Sequence, residues 1–159
     1  MLDPSPERAA HKQLLLRLGP LFPVTYLVHI LEEWLGGFVA WYARAFGGGL
    51  SESAFLVANA AALAGMTLGV ALAYKFGAMR WLFVSFGVAT FVNGVAHVAA
   101  SLATLAYSPG VVSGALIWLP LGFVTVRAGR VGLTRRSFIA GIIVGALMHA
   151  VVILLAIFS

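Results

Sequence analysis

The chain has no cysteine among its 159 residues, which excludes disulfides, thiolate metal sites and cysteine nucleophiles. Any metal must be held by nitrogen and oxygen. Charge is scarce as well: 9% of residues are charged, where a soluble domain carries about 25%. Only five are acidic, and 62% are hydrophobic, with a mean hydropathy of +1.02. These values exclude an ordinary soluble domain and indicate an all-α integral protein of the cell membrane, crossing it several times. Phosphate-binding loops, a GxSxG elbow and a dinucleotide fingerprint are all missing, which disfavours ATP, flavin and nicotinamide chemistry. Flexible linkers and long repeats are missing too. The expected organisation is an N-terminal interfacial segment, 1–17, and a single five-helix transmembrane domain, 18–159.

Five apolar runs, at about 21–43, 54–74, 81–107, 111–126 and 138–158, approach the roughly 20 residues a helix needs to cross the hydrocarbon core. Ser51, Ser108 with Pro109, and Thr134 are suited to capping the second, fourth and fifth helices, and Pro120 predicts a kink in the fourth. Nine of the ten basic residues fall before the first run or in the loops after the second and fourth, and only Arg44 falls on the opposite side. The positive-inside rule therefore puts the N terminus inside and the C terminus outside. Basic residues scattered over loops that hug the membrane suit lipid contact and argue against a nucleic-acid partner. Glycines spaced as GxxxG at 65 and 69, 110 and 114, and 141 and 145 allow close helix packing and leave a homo-oligomer open.

Against this background stand His29, Glu32 and Glu33, an imidazole and two carboxylates at i, i+3 and i+4 of one apolar run. Each charge at the centre of an inserting helix costs about 2.5–3.5 kcal/mol, so three ionisable groups in five residues need partners. Counting about 1.5 Å per residue from the basic boundary puts them near the middle of the membrane. His97 with Asn93 on the third helix, His149 on the fifth and Asn59 on the second reach comparable depths. Three histidines and two carboxylates at one depth form a ligand set for zinc or iron. In this reading His29, Glu33, His97 and His149 are metal ligands, Glu32 is the acid or base, and Asn93 and Asn59 are additional polar contributors. Alone, His149 is equally a core histidine bonded to a carbonyl. Either glutamate is equally a neutral acid hydrogen-bonded to Asn93 or His97.

The segment HILEEW, a later NGVAH, a YSPG loop and a histidine in the last helix resemble the HXXEE family of small prokaryotic integral membrane proteins. The resemblance runs from about Leu21 to the end. It implies that His29, Glu32 and Glu33 are the defining positions, with Asn93, His97 and His149 beside them, and it implies no activity. The functional expectation is an intramembrane metal-dependent enzyme acting on a lipophilic substrate, by hydrolysis or non-haem-iron oxidation. The alternative is a small transporter or proton-coupled permease using the same residues as a metal-free relay.

Overall fold

Breaks in the apolar pattern become helix ends in the computed structural model, which describes residues 5–47 and 49–158. Pro4 of the N-terminal segment and Ser159 lie outside the described residues. The helices are α1 (Pro6–Leu18), α2 (Leu21–Leu35), α3 (Phe38–Phe46), α4 (Glu52–Lys75), α5 (Trp81–Thr104), α6 (Val111–Ser113), α7 (Leu119–Gly132) and α8 (Arg135–Phe158). No strand occurs among the described residues. The Ser51 hydroxyl caps α4 by accepting from the Ala54 N–H, and the Thr134 hydroxyl accepts from the Ser137 N–H at the start of α8.

Four stretches are long and apolar enough to cross a membrane: Glu52–Lys75, Gly77–Thr104, Val111–Gly132 and Arg135–Ala156. A fifth exists if α1 and α2, bent by 40°, form one broken span. The first run is thus not the straight helix the apolar pattern suggests. It stops at Gly36 and Gly37, because Gly37 takes φ 71°, a left-handed conformation that ends a helix at no Cβ cost. The chain then restarts as the short aromatic α3. Length is recovered on the other side: α1 docks along α7, with Leu15 fully buried and the Tyr74 hydroxyl donating to the Leu16 carbonyl.

The kink expected at Pro120 takes the form of a π turn at Gly114–Trp118, directly before the proline in an otherwise continuous helix. Pro120 offers no N–H to the preceding turn, and the wider turn absorbs that loss. Ser108 does not cap this helix. Gly110 does, at φ 97°, and Val111 begins it.

Helix α5 is central and packs against α4, α7 and α8. Small residues set the approach. A Cβ on Gly145 would lie 2.5 Å from the Ser85 carbonyl oxygen, and one on Gly122 would lie 2.5 Å from that of Gly87. Backbones this close exclude any side chain at these positions. Phe22, Phe83, Val84, Phe86 and Leu15 fill the core between the helices. Outward, Leu68, Leu102, Leu116, Phe123, Ile143 and Leu147 are exposed, the apolar exterior expected where lipid is the solvent. Arg8, Lys12 and Arg80 meet Gly132 and Thr134 at one end of the bundle, so basic segments far apart in sequence share that end.

Candidate metal centre

His29 and Glu33 are one turn apart on α2 and project from one face. His97 comes to them from α5. Glu33 Oε1 lies 3.6 Å from His29 Nε2 and 3.3 Å from His97 Nε2, and the three ligand atoms all fall within 4.8 Å of one another. Ligands about 2.0–2.1 Å from a tetrahedral ion stand about 3.3–3.4 Å apart, so two of the three edges are close to that spacing. All three residues are buried, His29 to 2% exposure and Glu33 and His97 to 6%. His29 Nε2 makes no hydrogen bond of 3.5 Å or less, its contact with Glu33 Oε1 standing at 3.6 Å. A buried polar atom left so costs about 1–3 kcal/mol, and coordination would satisfy it.

The opposite ring nitrogens are held by hydroxyls. His29 Nδ1 lies 2.7 Å from Ser113 Oγ, and His97 Nδ1 lies 3.3 Å from Ser108 Oγ. The Ser113 hydroxyl donates to the Gly110 carbonyl at 3.5 Å, which leaves its oxygen to accept from His29. With the proton on Nδ1, Nε2 presents its lone pair toward Glu33, the arrangement a metal-ligating imidazole requires. The His29 ring stacks on Trp118 with centroids 3.7 Å apart. Gly110 closes the other side: a Cβ there would sit 2.6 Å from His97 Cε1 and 2.9 Å from His29 Cε1.

Glu32 points elsewhere. Its Oε1 accepts from the Tyr107 hydroxyl at 2.9 Å and from the N–H groups of Gly110 and Val112 at 3.1 and 2.9 Å, while Oε2 accepts from the Ser113 N–H at 2.7 Å. These backbone donors are the unpaired first turn of the helix beginning at Val111, where a carboxylate is favoured. Burial and the bond to Glu32 both push the Tyr107 hydroxyl above its usual range. Four hydrogen bonds, three on Oε1 and one on Oε2, hold the Glu32 carboxylate against the segment 107–113.

His149, expected as a ligand, is buried on α8 but stands outside the three-residue group. Asn93 lies one turn before His97, and its buried Oδ1 lacks a partner. Asn59 belongs to a different contact. It accepts from the Tyr26 hydroxyl at 2.8 Å and donates to the Phe55 carbonyl at 3.0 Å, tying α2 to α4. The cluster lies within two turns of the ends of α2 and α5, beneath the 105–110 loop. It is therefore nearer the end remote from the basic residues than a count from Pro20 suggests, because α1 lengthens the span on the basic side. A cavity of about 40 Å³ abuts Glu33, lined by Trp34, Phe38, Glu52 and Phe55, and is roomy enough for a water molecule.

Ser113 and Trp118 were not singled out by sequence; Gly110 was read as a helix-packing glycine, Tyr107 as a span-end aromatic and Ser108 as a cap, none of them as part of the site. The one sequence signal near them is the Tyr-Ser-Pro-Gly stretch, since such residues fix a loop.

Fold and cluster together define an all-α, membrane-spanning bundle with a buried group of two histidines and a glutamate able to hold a metal ion. The chain belongs to the family described as proteins of unknown function with an HXXEE motif, whose model matches residues 20–125. That match includes His29, Glu32, Glu33, His97, Ser108 and Ser113, and ends before α8 and His149. No curated protein and no solved structure matches the chain.

Proposed function

We propose that His29, Glu33 and His97 bind one divalent transition metal, zinc or iron, and that the protein is a membrane metalloenzyme acting on a lipophilic substrate. The observation that carries this reading is the convergence of the buried Nε2 atoms of His29 and His97 on one buried carboxylate oxygen of Glu33. Two imidazoles and one carboxylate are the protein ligands of catalytic zinc sites and of non-haem iron sites, and three ligands leave an open position for water or substrate. Bound there, the metal would act as a Lewis acid or activate its own water.

The protein's part is to keep the donors deprotonated and aimed. Ser113 and Ser108 hold the imidazoles, and Glu32 holds the segment that carries both serines. Glu32 acts as a positioning residue in this reading, because its four hydrogen bonds all go to the segment that carries the two serines. His149 is read as a neighbour of the site, outside the ligand set. The cavity against Glu33, with Trp34 at its rim, is the proposed approach from the bilayer.

Elemental analysis of protein extracted in mild detergent without added metal tests the reading. It should give near one equivalent of zinc or iron, and His97→Ala should abolish it while His149→Ala should not. Fully active, metal-free protein would instead favour the relay of a small transporter or proton-coupled permease.

A further inference from the structure

At the opposite end from the His/Glu cluster, three segments close around a cavity of about 240 Å³. Arg8 and Lys12 enter from α1, Arg80 from the turn before α5, and Thr134 and Ser137 from the start of α8. No carboxylate among the described residues lines it, and none pairs with these cations. Three like charges lining one hollow repel one another, and an anion between them would relieve that repulsion. The Arg80 Nε–H is buried without a hydrogen-bond acceptor. Arg8 spends one N–H on the Leu133 carbonyl at 3.4 Å, which fixes its guanidinium at the rim. The Ser137 hydroxyl, whose oxygen accepts from Thr134 at 3.0 Å, adds a neutral donor on the facing wall.

We propose that this cavity binds a phosphate group. The donor set suits a tetrahedral oxyanion: planar guanidinium forks, a mobile ammonium and a hydroxyl, with nothing of negative charge. The volume exceeds one phosphate and admits the atoms esterified to it. Trp81, also on the lining, offers a ring of the kind found at headgroup level. A phospholipid headgroup and a soluble phosphate share this chemistry. Occupancy would tie α1, the turn before α5 and the start of α8 together.

The test uses the full chain in a non-ionic, phosphate-free detergent, delipidated by exchange. Inorganic phosphate and short-chain phosphatidylglycerol are titrated separately, with short-chain phosphatidylcholine as the zwitterionic control, and binding is read by thermal shift and native mass spectrometry. Saturable binding of phosphate, of phosphatidylglycerol or of both supports the site, and which probe binds more tightly names the source. Arg80→Gln and Lys12→Gln should each weaken binding about tenfold, the scale of one charge-assisted hydrogen bond. Arg44→Gln, on the other side of the bundle, should leave it unchanged. Arg80→Lys serves as a second variant should Arg80→Gln fail to fold, and should keep the charge while losing the fork. Equal binding by wild type, Arg80→Lys and Lys12→Gln, or no saturable binding by any probe, overturns the proposal.

Discussion

The Ser113 hydroxyl lies 2.7 Å from Nδ1 of His29, across 84 residues of sequence. The same residue's N–H donates to Glu32 at 2.7 Å, so one serine links the first glutamate of the motif to its histidine. The two adjacent glutamates thus serve different ends: Glu33 faces the imidazoles, and Glu32 secures the helix that orients them.

Removing the orienting hydroxyl should therefore loosen the metal without unfolding the protein. Ser113→Ala is expected to weaken metal retention about 10–100-fold. Competition with a graded series of chelators measures this, and thermal melting of the same sample should show a small change.

Glu32→Gln should behave as a fold variant first. An amide accepts through one oxygen and turns its NH₂ toward a backbone donor, so the first turn of the helix at Val111 loses part of its cap. A loss of about 2–3 kcal/mol is expected, seen as a lower melting temperature with weakened metal binding. Glu33→Gln should keep a fold near that of the wild type and lose the metal outright. An undisturbed melt and full metal content in Glu32→Gln would refute its positioning role.

Gly110→Ala tests how tightly the loop closes over the rings. At φ 97° an alanine is strained, and its Cβ would lie 2.6 Å from His97 Cε1, so both rings must move. Loss of stoichiometric metal is expected even where the protein remains inserted. On the other side of the bundle, Gly145→Ala would press its methyl into the Ser85 carbonyl. Overpacking of this kind costs about 1–3 kcal/mol, and should appear as a lower melting temperature with metal stoichiometry kept.

Topology is open to a direct chemical test, because the chain has no native thiol. A cysteine at Ala106, exposed in the loop over the cluster, should react from outside with an impermeant reagent. One at Ala78, exposed at the basic end, should react only after the membrane is opened. The reverse pattern would invert the orientation and leave the cluster's geometry intact.

Much of the helical layout was legible because lipid imposes long apolar runs, and the ends of α4, α5 and α8 follow from Ser51, Trp81 and Thr134. The break at Gly36 and Gly37 was passed over: a Gly-Gly pair is a turn signal, but apolar residues on both sides let the run read as one helix. His29 with Glu33 follows from helical spacing, and His97 from its depth. His149 shares that depth, yet depth carries no information about rotation around a helix axis, and α8 leaves it outside the group. The Glu32 contacts were out of reach: they join residues 75 to 81 positions apart and depend on where a loop lands after the bundle closes.

The most direct measurement is X-ray absorption at the metal edge of protein purified without added metal. The predicted result is one bound ion with a nitrogen and oxygen shell containing two imidazoles, reduced to background in Glu33→Gln and unchanged in His149→Ala. Protein without a specifically bound ion, or a shell whose imidazole count falls in His149→Ala, would contradict the three-ligand site.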